Sequence, residues 1–210
     1  QQWLNRHMAA LRDMGLPLRV HDVTFSQRLV VGLGASSVYE TSLTLHHLYG
    51  VPYLPASSLK GMLAHYIVDQ CFGGNEKEAT AHPTYRAIFG TLQERGKVVF
   101  FDALPTKAPI LRLDIMNPHY APYYMNGSDP VDYTNPVPVP FFVVENATFR
   151  VAVGALPALS EAEASVLLDE VETHLLAALK TYGIGAKTAV GYGYASAHRP
   201  VSFPEEGAQR

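Results

Sequence analysis

The chain has 210 residues, 48% hydrophobic and 17% charged, a balance that indicates a packed globular protein of one elaborated domain or two small ones. A formal net charge of −3 excludes a protein that coats nucleic acid by bulk positive charge, so any RNA or DNA site must be local. No apolar run is long enough to span a bilayer, no signal-peptide pattern opens the chain, and the lone cysteine, Cys71, precludes a disulfide within it; no membrane association and a cytoplasmic location are expected.

A short helix is predicted over 3–14, ending at Gly15-Leu16-Pro17. Residues 19–34 read as a strand, rich in β-branched and aromatic residues. The weakly periodic run 35–55 is a loop with short extended pieces and carries His46, His47 and Tyr49. A helix is expected over 57–71, because Leu59, Met62, Leu63, Tyr66, Ile67 and Cys71 fall on one stripe at spacings of 3 and 4. Ser57 or Ser58 is its candidate N-cap. Lys60 sits in its first turn, where the helix dipole disfavours a cation. A phosphate bound there by free amides, serine hydroxyls and Lys60 would reverse that sign; a solvated lysine is the competing explanation. His65 and Asp69, four apart, are an acid–base candidate or an ordinary surface pair.

Residues 76–90 suggest a short helix ending at Phe89-Gly90. Strands are expected at 97–103 and 110–116, separated by a turn at 105–109. Residues 117–140 are rich in Pro and Tyr, including Tyr120, Tyr123, Tyr124 and Tyr133; an irregular segment of that length suits a binding or docking role. The runs 140–144 and 148–154 form a hairpin candidate. A second helix is predicted over 160–182, opened by a Ser160/Glu163 capping box and buried through Ala164, Leu167, Leu168, Val171, Leu175, Ala178, Leu179 and Tyr182. Gly183 is its natural terminator.

The stretch TYGIGAKTAVGYGYA (181–195) follows. Its glycines admit positive φ and allow backbone amides to approach a ligand, and Lys187 adds a full charge, a combination suited to anions. It is not a nucleotide-binding P-loop: Ala186 stands where Gly precedes Lys, and the order is helix–loop–strand. A glycine C-cap running into a Gly/Tyr strand over 188–196 is the plainer alternative. Beyond it the tail, 197–210, is expected to be flexible.

The resulting order of core elements, βαββαβ, is the ferredoxin-like plan that also underlies the RNA-recognition motif. The expected fold class is therefore α+β, with two helices on one face of a four-stranded sheet. The domain layout is an N-terminal extension (1–18), one domain (19–196) with an insertion at 104–140, and the tail. No CxxC, HExxH or nucleophile–base pattern occurs, so no metal, cofactor or catalytic residue is expected.

Two motifs resemble the RAMP superfamily of CRISPR-associated proteins. One is YLPASSLKG (53–61), with Ala56 where the family usually has glycine; the other is GIGAKT (183–188) followed by Gly191-Tyr192-Gly193. Residues 28–50, 113–120 and 135–140 are most similar to the sixth-subunit family of the type III-B (Cmr) effector. The resemblance implies a non-catalytic RNA-binding subunit that holds guide RNA (crRNA) toward its 3′ end and contributes to target RNA recognition, with other Cmr subunits as partners. Ser57, Ser58, Lys60, Gly183, Gly185, Lys187 and Thr188 are the candidate RNA-binding residues, and His46, His47 and Tyr49 are candidates for further contact. Two alternatives remain at this point. One is a repeated backbone subunit with a cleaving aspartate among Asp114, Asp129 and Asp132; the other is a metal-independent ribonuclease using His46, His47 or His65 as base.

Overall fold

The computed structural model describes residues 2–34, 43–117 and 138–202. Asp129, Asp132, the tyrosines of the Pro/Tyr-rich run and the last eight residues lie outside them. Helix α1 (Gln2–Asp13) leads into strand β1 (Leu18–Phe25); α2 (Ala56–Phe72), α3 (Glu76–Ala81) and α4 (Pro83–Phe89) follow. Then come β2 (Val98–Phe100), β3 (Leu104–Pro105), β4 (Ile110–Met116), β5 (Val139–Glu145), β6 (Ala147–Ala155), α5 (Glu161–Thr181), a 3₁₀ turn (Thr188–Val190) and β7 (Ala197–Pro200).

The main sheet runs β2-β6-β1-β7, with β3 also on β6 and every pairing antiparallel. Period-2 alternation splits its central strands into two faces. Val23, Phe25, Phe149, Val151 and Val153 pack with Leu59, Leu63 and Ile67 of α2 and with Leu168, Val171 and Leu175 of α5, forming the main core. On the opposite face Val20 and Ala152 meet Met8 of α1. The N-terminal segment is thus a third layer, with Leu4 and Met8 buried. The amphipathic stripes of α2 and α5 explain why both helices choose one face, and the Ser160/Glu163 capping box is present with both reciprocal bonds. The α+β expectation holds.

Several boundaries differ. The long first strand ends at Phe25; after a bend, Leu29 leaves the main sheet and bridges Val144 of β5. The expected 140–154 hairpin does not form. Asn146, at φ 49°, turns a corner: β5 pairs with β4 in a two-stranded ribbon, while β6 belongs to the main sheet. The strand expected over 188–196 is absent, because Lys187, Gly191 and Gly193 adopt left-handed backbone that interrupts any extended run. The closing strand lies downstream at 197–200, on the edge beside β1, within what was expected to be tail.

A candidate RNA interface on a shared wall

The glycine-rich loop leaves α5 through Gly183, which is buried, has φ 69° and donates its amide to Ala178 O. Gly183 therefore terminates the helix and does not reach the surface. Gly185 has φ 91°, and a Cβ there would stand 2.2 Å from Val30 O. A Cβ on Gly193 would stand 2.0 Å from Ile184 O. These glycines are required by close packing of the loop on its own chain. The next amide, Ala186 N, donates to Val30 O at 2.8 Å, and Gly193 N donates to Arg28 O at 2.8 Å. The loop is thus pinned to residues 28 and 30 on either side of Lys187.

Lys187 has φ 63°, and its ammonium lies 5.2 Å from the centre of the Phe141 ring, a cation–π arrangement. Among the described residues, the amides of Gly185, Lys187 and Thr188 have no acceptor. Tyr192 closes the loop's far side: its hydroxyl donates to Asp114 of β4, which also accepts from Arg28 Nη1 at 2.7 Å. Burial alone would raise the Asp114 carboxyl, but the Tyr192 hydroxyl, the Ile115 amide and Arg28 together hold it below the usual carboxylate range. Asp114 is thereby committed to a latch between loop and ribbon. Beside it, a polar cleft of about 500 Å³ is lined by Ser26, Gln27, Arg28, Glu145, Asn146 and Gly191.

The same wall carries a second element. Val31 O accepts from Thr44 N at 2.8 Å, which starts the segment leading to the His46 turn. There His46 stacks on Tyr49 (centroids 4.7 Å apart) and on His47 (5.1 Å), and Tyr53 meets it edge-on. His47 and Tyr49 are exposed. The structure therefore anchors Gly185–Thr188 and His46–Tyr49 on adjacent residues, 30 and 31.

The start of α2 is differently placed. Pro55 occupies the N-cap position, and neither Ser57 nor Ser58 makes a side-chain cap. Asp102 Oδ1 accepts from the first helical amide, Ala56 N, at 2.7 Å, so a carboxylate of the chain sits where a phosphate was expected. Lys60 Nζ donates to Phe89 O at 3.0 Å, at the C-terminus of α4. This answers the misplaced charge: a cation unfavourable for its own helix is favourable at the carbonyl end of another. Lys60 and Lys187 take different partners and no contact joins them.

The His65/Asp69 pairing is also reassigned. Asp69 accepts from the Tyr182 hydroxyl and from Gln70, fastening α2 to the end of α5, while His65 meets the Tyr182 ring edge-on. Sequence reasoning missed Arg28 and the Tyr192–Asp114 latch, since nothing in the spacing relates residues 28, 114 and 192. Among the described residues, no group of three or more His, Cys, Asp or Glu is placed to hold a metal. No described helix is long and apolar enough to cross a membrane.

A family model described as the RAMP superfamily matches residues 22–196. The CRISPR system Cmr subunit Cmr6 of Pyrococcus furiosus is 35% identical over 79% of this chain and 64% of its own length. The Cmr6 of Saccharolobus solfataricus is 29% identical over 47% of this chain and 34% of its own. The chain thus spans less than two thirds of either relative. Among solved structures, crystalline Cmr6 from P. furiosus gives a TM-score of 0.50 at 33% identity, covering 86% of this chain and 97% of that one. A chain of the type III-B Cmr-beta complex bound to cognate target RNA gives 0.69 at 22% identity, covering 95% and 66%, a likeness of fold.

Proposed function

Since the chain belongs to the RAMP superfamily, we propose that it is a Cmr6-type subunit of a type III-B CRISPR effector ribonucleoprotein, acting in antiviral defence in the cytoplasm. In this reading it is a non-catalytic RNA-binding subunit that holds the guide RNA backbone toward its 3′ end and contributes to target RNA recognition beside other Cmr subunits. The strand order β2-β6-β1-β7, with α2 and α5 on one face, is read as the ferredoxin-like RAMP plan. Residues 19–196 are treated as one domain, with the Pro/Tyr-rich run as its insertion.

The observation that carries the reading is the pinned glycine-rich loop. Its left-handed turn at Lys187 places one cation and the unaccepted amides of Gly185, Lys187 and Thr188 in one short arc. Such a group binds a phosphodiester through charge and hydrogen bonds and reads no base. The stacked His46, His47 and Tyr49 supply π-faces for a base on the same wall. Ser57, Ser58 and Lys60 have a lesser part, because Asp102 and Phe89 already occupy the groups expected to receive phosphate.

Lys187→Ala is expected to weaken binding of single-stranded RNA roughly 5- to 10-fold at low salt and to reduce the salt slope by about 0.7, the loss of one single-strand phosphate contact. Filter binding across a salt series checks this; an unchanged slope counts against the loop as a phosphate site.

The reading of Asp114 as a cleaving aspartate is disfavoured by its engagement with Tyr192 and Arg28. Asp114→Asn is expected to leave target RNA cleavage by the assembled complex unchanged. Loss of cleavage in that variant would favour a catalytic backbone subunit.

A further inference from the structure

The sheet face opposite α2 and α5 is only half covered. Helix α1 closes one end, where Met8 packs on Val20 and Ala152. Along β1 and β6 the same face continues as Asp22 and Arg150, whose guanidinium also bonds Asn5 of α1, and beyond α1 as Thr24 and Thr148, which with Asp22 line a cleft of about 440 Å³. That volume lies within the roughly 300–1,000 Å³ typical of small-ligand sites.

The lining is polar and cationic. Thr24 and Thr148 present hydroxyls 2.9 Å apart, and Lys107 and Arg199 stand around them. Lys107 is exposed and has no ion pair or hydrogen bond with any described residue. Asp22 is the acidic group in the lining, and Arg150 neutralises it with two bonds, at 2.8 and 3.1 Å. Arg199 gives Asp22 one further bond at 3.2 Å, yet its side chain is 73% exposed. The cleft therefore carries net positive charge on a chain whose overall charge is −3.

An RNA-recognition sheet stacks bases on aromatics of its central strands. Here those strands show Val, Asp, Thr, Arg and Ala on this face, so base stacking on the sheet is unavailable. Hydroxyls and cations suit a sugar-phosphate group instead. The cleft is also joined to the glycine-rich loop: Asn146, at the left-handed corner between β5 and β6, lines both it and the cleft beside Arg28 and Gly191.

We infer that this half-open sheet face is a second phosphodiester site, holding the sugar-phosphate backbone of the single-stranded RNA whose neighbouring phosphate lies at the glycine-rich loop, with Asn146 as the junction. The inference rests on the RNA-binding reading above and adds to it a path for the strand and the residues Thr24, Lys107, Thr148 and Arg199.

The test is a titration of the ¹⁵N-labelled full chain with hexauridylate, followed by amide chemical shifts and repeated with Lys107→Glu. Shifts are expected in two groups, at 185–191 and at Thr24, Lys107, Thr148 and Arg199. Lys107→Glu should abolish the second group and weaken overall affinity at least 5-fold while leaving the rest of the spectrum unchanged, since Lys107 makes no hydrogen bond or ion pair with any described residue. Shifts confined to 185–191 would overturn the sheet-face site and leave the loop as the RNA contact. Shifts at the cleft that persist in Lys107→Glu would overturn the cationic site. No shift in either region at millimolar hexauridylate would overturn both the site and the RNA-binding reading.

Discussion

Asp22→Ala is expected to destabilise the fold by about 3–5 kcal/mol, the usual cost of stranding one partner of a buried ion pair. Asp22 and Arg150 are 2% and 4% exposed, and the guanidinium meets both carboxylate oxygens. Arg150 also donates to Asn5 of α1, so the pair joins the N-terminal helix to the centre of the sheet. Without Asp22 a full positive charge stays on a side chain only 3% exposed, and among the described residues Asn5 is the one other side chain that accepts from it. For a chain of this length that loss lowers the melting midpoint by roughly 6–20 °C. The double replacement Asp22→Leu with Arg150→Met should recover most of the stability, because it removes both desolvated charges while keeping volume. Thermal unfolding of the two variants checks this. A midpoint within 2 °C of wild type for Asp22→Ala would show that the pair makes no net contribution.

Gly185→Ala should abolish the loop's RNA contact and cost stability as well. At φ 91° a side chain is strained by about 1–3 kcal/mol before any clash. The added Cβ would also meet Val30 O at 2.2 Å, and backbone cannot move aside as a flexible side chain can. The loop must therefore lift from residues 30 and 31, breaking the Ala186–Val30 bond and moving Lys187 off Phe141. Gly191→Ala is the matched control: φ is 93°, but nothing lies within 4 Å of its Cβ. Gly191→Ala should show backbone strain only and retain RNA affinity within about 3-fold, whereas Gly185→Ala should lose it at least 10-fold. Equal losses in the two variants would mean that the loop's anchorage is irrelevant to binding. Fluorescence anisotropy with labelled single-stranded RNA, paired with thermal melts, separates the two effects.

The two variants also show what kind of information each level of structure holds. The glycines are visible in sequence: Gly183 reads there as a helix terminator, and the others as points where backbone approaches a ligand. In the folded chain Gly183 ends a helix, and Gly185 and Gly193 admit the chain's own carbonyls. Only Gly191 faces open space. A sequence shows that a backbone must pass close to something; it does not show whether that something is a phosphate or residue 30.

Lys60 carries the same lesson for charge. Its position in the first turn of α2 is unfavourable by local electrostatics, and a bound anion was one resolution. The actual one is Phe89 O, supplied by a helix 29 positions away in the chain. Asp102, from the segment after β2, then fills the amide at the helix start. Local rules identified the imbalance correctly, and distant partners corrected it.

The sequence by itself determined the elements that repeat a strong period: α2 and α5, the capping box at Ser160, the strands of β1 and β6, and the two motifs that mark the superfamily. Their signals are local, because a buried stripe or a cap involves residues within a turn or two of one another. Tertiary structure alone decided which strands pair, that Asn146 parts a would-be hairpin into two sheets, and that the polar edge run Ala197–Pro200 closes the main one. It also decided that residues 28–31 form the wall on which loop 183–193 and the His46 turn meet. Those outcomes depend on hydrogen bonds between residues in separate segments, such as Ile110 with Glu145, Val31 with Thr44 and Arg28 with Gly193, and no local spacing encodes them.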